Sequence, residues 1–212
     1  MPVYESIKNA DNRIVISAQN KDSVIFGWDK VAAALAALVK GGKKNIAIDG
    51  WYGIDFEKIA KAVADNGVAA VISSNYSIGV GIFFKLIREA AKNLGLDYDV
   101  EIIEAHHNQK KDAPSGTAVT AAEIISEALG GKEYCYGREG ICPRGKEIGI
   151  HAVRGGDIVG DHTVMFIGNS ERIEIRHQAH SREIFVAGAV LAAKWVVSQD
   201  KGVVYSMSNV LE

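Results

Sequence analysis

Cysteine is scarce in this chain. Only Cys135 and Cys142 occur, both in one Gly-rich segment. The first residues, MPVYESIKNADNR, show no basic stretch followed by an apolar one. No export signal is therefore expected, and a cytoplasmic location follows. A structural disulfide is possible there, but two free thiols suit such a compartment better. A basic excess is also missing: 24 Lys and Arg face 26 Asp and Glu, a formal net charge of -2. That balance argues against nucleic acid as the main partner, because phosphate binding needs positive charge. No apolar run approaches the length of a membrane span. No second Cys/His cluster has ligand spacing, so no metal site is expected. Internal repeats and low-complexity linkers are absent too.

What is present is enough apolar material for a core. The chain has 212 residues, 48% of them hydrophobic, which suffices for one large domain or two small ones. The first half alternates strand and helix signals. Strands are expected at 12–19, 45–48 and 68–72, and 23–26 is a short apolar run. Asp29 can cap a helix over 30–40 that stops at Gly41-Gly42. Asp55 opens a helix over 56–65 with Phe56, Ile59, Ala60 and Val63 on one face. Ser77 caps a long helix over 78–94. This alternation predicts parallel strands with helices on both faces.

The second half differs. YDVEIIEA (98–105) alternates as a strand, 115–129 reads as a helix, and strands are expected at 147–153, 162–167 and 172–179. Gly-rich turns join them, as in an open antiparallel or mixed sheet. A final apolar helix covers 185–197. The fold class expected is thus α/β plus α+β, an abbreviated Rossmann-like parallel sheet followed by an α+β domain with an open mixed sheet. The domain boundary is placed near residues 95–97, giving 1–96 and 97–181, with 182–212 packing back on the first domain.

The chemistry concentrates in EAHHNQKKDAPSGTA, Glu104 to Ala118. All six histidines follow residue 100, and two of them, His106 and His107, are adjacent at a strand end. Lys110 and Lys111 follow, then Asp112-Ala113-Pro114-Ser115-Gly116-Thr117. Pro114 favours an extended residue before it, and Ser115 can cap the next helix. Gly116 and Thr117 then offer bare N–H groups where donors and dipole together attract carboxylate or phosphate. A lysine adds a full charge, and a histidine can give or take a proton near neutrality. Any one of these features alone is usually surface, core or cap. Their combination within so short a run points to a cationic pocket for a small carboxylate. Metal binding by His106-His107 is disfavoured, since neighbouring strand side chains face opposite ways.

This run resembles the signature of the dihydrodipicolinate reductase (4-hydroxy-tetrahydrodipicolinate reductase) family of the lysine and diaminopimelate pathway. The likeness continues in SNYSIGVGIFFKL (74–86), GIHAVRGGDIVGDHTVMFIG (149–168), ERIEIRHQAHSREIFVAGAVLAAKW (171–195) and the tail GVVYSMSNVL. The resemblance implies a Rossmann-like nucleotide domain, a substrate and tetramerisation domain, and reduction of a cyclic dicarboxylate with NADH or NADPH. It implies His106 as proton donor with Lys110 as its cationic partner. His107, Lys110, Ser115, Gly116 and Thr117 would hold the substrate carboxylates. Gly50, Gly53, Asn75 and Tyr76 would border the cofactor. A homotetramer or other homo-oligomer is implied as well.

The departures from the family concern the cofactor. Its opening strand and G-x-x-G-x-x-G loop, where glycines admit a pyrophosphate to a helix N-terminus, have no counterpart in this sequence. Met1 falls about where the family's first helix begins, which reads as a truncated nucleotide domain. The family's Asp-Phe-Thr segment is Phe26-Gly27-Trp28 here, and its Gly-Thr-Thr-Gly loop is Gly50-Trp51-Tyr52-Gly53. Trp28, Trp51 and Tyr52 either plug a surface or stack on a ligand. Three functions follow: a reductase with an unusual cofactor domain; a paralogue without cofactor that binds a dicarboxylate or acts as a non-redox enzyme; and a partner subunit of a full-length reductase.

Overall fold

The computed structural model describes residues 55–212, together with 33, 34, 37, 38 and 41. The strands expected at 12–19 and 45–48 and the apolar run 23–26 lie outside these residues, as do Trp28, Gly50, Trp51, Tyr52 and Gly53. Ala33, Ala34, Ala37 and Leu38 are helical, within the expected 30–40 helix. The chain divides into two compact units, residues 1–70 with 200–203 and residues 71–199 with 204–212.

In the first unit, α1 (Phe56–Asp65) starts at Asp55, whose carboxylate accepts the Lys58 amide at 2.8 Å. Ile59, Ala60, Val63 and Ala64 form its buried stripe, while Phe56 is only half-buried. The strand expected over 68–72 shrinks to β1 (Ala70–Val71), because the Val68 amide is held by the Val63 carbonyl at the helix end.

The second unit is built on a five-stranded sheet. Helix α2 (Ile78–Leu94) precedes β2 (Asp99–His106), and α3 (Gly116–Ala128) follows it. Then come β3 (Tyr134–Tyr136), β4 (Ile148–Arg154), β5 (Gly160–Ile167) and β6 (Arg172–Ala179). Helix α4 (Glu183–Val196), β7 (Val204–Tyr205) and α5 (Met207–Val210) complete the chain. The strand order is β3-β4-β2-β5-β6; β2 runs parallel to β4 and antiparallel to β5. The mixed sheet is as expected, and β3 extends it within the Gly-rich segment that carried no strand signal. Cys135 and Cys142 are both free.

Period-two alternation builds the core. Val100, Ile102, Ile148, Ile150, Val164 and Phe166 meet Phe83, Ile87 and Ala91 of α2 and Ala118, Ala121, Ala122 and Ile125 of α3. The opposite face stays open. Glu101 there accepts from Arg144 and His151, and Ile103 and Val153 are exposed.

Helix α4 approaches the backbone before α2 through Gly188, where an added Cβ would overlap the Tyr76 carbonyl oxygen. Gly188→Ala must push the two segments apart, and overpacking of this kind costs about 2 kcal/mol. Urea denaturation at neutral pH checks this; an unchanged midpoint would show that the segments part freely.

Candidate functional site

Strand β2 delivers two side chains to one corner. Glu104 and His106 share the face that carries Val100 and Ile102, so both point inward beneath the start of α3. The Glu104 carboxylate is fully buried and accepts four hydrogen bonds. Oε1 receives the Ser115 amide at 3.0 Å and Arg154 Nη2 at 2.7 Å. Oε2 receives Arg154 Nη1 at 2.8 Å and His106 Nδ1 at 2.6 Å. Burial alone would raise this carboxyl's pKa. The bonds from His106, Arg154 and Ser115 outweigh burial and hold it at about 2.

A carboxylate only accepts, so His106 Nδ1 carries a hydrogen and Nε2 is the atom left for proton exchange. Nε2 lies over Gly160, where an added Cβ would stand 3.1 Å away. His162 meets the His106 ring edge-on at 5.1 Å. Its Nε2 is 2.9 Å from Ser115 Oγ, which also accepts the Ala118 amide at 3.2 Å. Burial, aided by the positive charge His106 can carry, lowers the His162 pKa to about 4, so this ring is neutral.

Ser115 therefore caps α3 as expected. The amides of Gly116 and Thr117 have no acceptor within the helix. Gly116 is exposed, whereas Thr117 is buried, its Oγ1 accepting Asn75 Nδ2 at 3.0 Å. The Asn75 carboxamide oxygen takes the Ser77 amide at 2.8 Å, and the Tyr76 hydroxyl donates to the Val71 carbonyl at 2.9 Å.

Lys110 is not free in this arrangement. Its Nζ pairs with Asp112 at 2.8 Å, and that attraction, outweighing burial, lowers the Asp112 pKa. Asp112 in turn gives its carbonyl to Arg154 at 2.6 Å. His107 is half-buried just past the strand end, its carbonyl accepting the Lys110 amide. His106, Glu104, Arg154, Ser115 and His162 thus form one hydrogen-bonded network, Asn75 and Thr117 form a second beside it, and the Lys110 side chain reaches the first only through Asp112.

Sequence reasoning missed the hub. Glu104 and His162 had a signal: each interrupts a buried apolar alternation, Val100-Ile102-Glu104 and His162-Val164-Phe166. Arg154 and Gly160 had none. Among the described residues, no group of three or more His, Cys, Asp or Glu is placed to hold a metal. Of the residues expected at the cofactor, Asn75 and Tyr76 are among those described, and their side chains make the three hydrogen bonds given above.

A family model described as the C-terminus of dihydrodipicolinate reductase matches residues 79–211. The chain belongs to the dihydrodipicolinate reductase family. Among its relatives is the 4-hydroxy-tetrahydrodipicolinate reductase of Methanosarcina mazei, 66% identical over 179 residues, covering 83% of this chain and 67% of that protein. The reductase of Methanosarcina barkeri is 57% identical over 210 residues, covering 97% of this chain and 79% of that protein. The dipicolinate-bound dihydrodipicolinate reductase from a Paenisporosarcina species superposes with a TM-score of 0.62 at 25% identity, covering 88% of this chain and 72% of that one. The matched family segment contains every residue of the Glu104 network.

Proposed function

We propose that this chain is a 4-hydroxy-tetrahydrodipicolinate reductase of lysine and diaminopimelate biosynthesis, acting on a cyclic dicarboxylate in the cytoplasm. The observation that carries the proposal is the orientation of His106: Nδ1 is fixed on a buried carboxylate, which leaves Nε2 for proton exchange, and the same carboxylate holds the amide of Ser115, the residue just before the bare amides of α3. Gly116 and Thr117 receive one substrate carboxylate, Ser115 holds the turn that presents their amides, and His107 and Lys110 receive the charge that remains. Bound NADH or NADPH would supply the hydride. As negative charge grows on the ring, His106 gives it the Nε2 proton and keeps its Nδ1–H on Glu104. A neighbouring ammonium stabilises the same charge. The exposed Ile103 and Val153 on the open sheet face suit assembly into a homo-oligomer, a homotetramer in this proposal.

The substitution of Trp51 and Tyr52 for the small hydroxyl residues that the family carries there favours a second reading, a dicarboxylate-binding relative without cofactor. Calorimetric titration with NADH and NADPH, followed by assay of dicarboxylate-dependent oxidation, separates the two. Turnover supports the reductase, whereas no nucleotide binding at millimolar concentration removes it.

Lys110→Ala is expected to weaken binding of pyridine-2,6-dicarboxylate by about 10-fold, the scale of one charge-assisted contact. Calorimetry measures this. Unchanged affinity would mean that Lys110 stays with Asp112 and serves the loop alone.

A further inference from the structure

We infer that Glu104 is a positioning residue serving both halves of the site at once: one oxygen sets the tautomer of His106, and the other fixes the anion-binding turn through the Ser115 amide. The inference rests on the proposed role of His106 as proton donor.

The geometry leaves little alternative. Three of the groups facing the Glu104 carboxylate can only donate, the Ser115 amide and two nitrogens of Arg154; beside that guanidinium the carboxyl stays ionised, so the fourth, His106 Nδ1, donates as well. Only an ionised carboxylate can accept from all of them. Arg154 cannot lose its proton, and it grips the carboxylate as a fork, fixing the plane in which both oxygens lie. The bond on Oε2 obliges His106 to keep hydrogen on Nδ1 whether the ring is neutral or charged. The imidazolium can then form and discharge at Nε2 without the ring turning. The bond on Oε1 ties the residue preceding Gly116 and Thr117 to the same carboxylate. Donor and anion site are therefore held in one frame spanning β2, β4 and the start of α3. Gly160 completes the frame from β5, since its missing side chain leaves room for the Nε2 side of the ring.

Glu104→Gln tests this. The amide offers one oxygen, and its NH2 must face a group that itself donates. If that NH2 meets His106, Nδ1 has to accept, and hydrogen moves to Nε2. The ring then cannot take a second proton where it is held, and it ceases to be an acid. If the amide is reversed, the Ser115 amide loses its acceptor and the α3 turn shifts.

Histidine nitrogen NMR reads the tautomer directly, with His106→Gln identifying the resonance. The wild-type chain should show Nδ1–H at His106. Glu104→Gln should show Nε2–H or a mixture, a kcat lower by at least about 100-fold, and a Kd for pyridine-2,6-dicarboxylate weaker by about 10-fold. A purely structural carboxylate would leave the tautomer and kcat untouched in the folded variant. An unchanged tautomer with unchanged kcat overturns the inference.

The unpaired Arg154 charge can unfold the single variant. In that case Glu104→Gln with Arg154→Gln removes it, and the same tautomer change is expected. The two readings fail separately. Full activity in His106→Gln would end its role as proton donor while the NMR result still stood. A dead His106→Gln beside a Glu104→Gln with unaltered tautomer, kcat and dicarboxylate Kd would end the positioning role alone.

Discussion

His106→Gln is expected to lower kcat for dicarboxylate reduction by 10^2- to 10^4-fold, roughly the contribution of a positioned general acid. The glutamine amide can still reach toward Glu104, so the corner should keep its shape, but it has no proton to deliver. In the proposed site, dicarboxylate binding depends chiefly on the α3 amides and the lysine. KM should therefore move much less than kcat, the pattern of an interaction made in the transition state. Circular dichroism and a denaturation midpoint near wild type would show that the fold is spared. A variant with full kcat would remove His106 from the chemistry and point to a proton taken from solvent.

The second large effect concerns pH and lies in His162. Burial holds this ring neutral, with a folded-state pKa of about 4 against an ordinary value of 6.5. The titratable groups around it are His106 and His177, which lower its pKa, and Glu104 and Asp161, which raise it. Between the two values the unfolded chain binds the proton and the folded chain does not. Stability is therefore full above pH 6.5, declines as pH falls through the window, and has lost its His162 share below about 4. The difference corresponds to about 3 kcal/mol, of which about 2 kcal/mol is gone by pH 5. Urea denaturation at pH 7 and pH 5 measures it, with His162→Gln as the comparison. The variant should lose most of this slope while keeping a polar group near Ser115. Equal slopes in both proteins would assign the acid sensitivity elsewhere. The Glu104 carboxylate acts in a lower window: its contribution is complete above about 4.5 and lost as pH falls through about 2.

Much of the second unit was legible because its determinants are local. A capping Ser77 or Ser115 lies next to the helix it starts, and both helices begin where those residues placed them. Alternation in 98–105 and 172–179 gave strands at nearly the expected bounds. The two-residue β1 fell short because the Val63 carbonyl claims an amide that the strand needed. The proposed site stood out in the sequence by its residues, but its wiring did not. His106, Ser115 and Thr117 stand in one short run, so composition alone drew attention to them. Their anchors come from far along the chain: Arg154 lies 50 residues from Glu104, and His162 lies 47 from Ser115. Only sheet register brings them together, with β4 and β5 flanking β2 on either side. Lys110 illustrates the opposite case. It stands in the right run, yet the nearest acid, Asp112, occupies it.

The most direct test is a crystal structure of the full chain with pyridine-2,6-dicarboxylate. One carboxylate should rest on the Gly116 and Thr117 amides, with Lys110 released from Asp112 toward the ligand and His106 Nε2 facing the ring while Nδ1 remains on Glu104. A ligand bound elsewhere, or a corner left empty with the imidazole turned inward, would contradict the account.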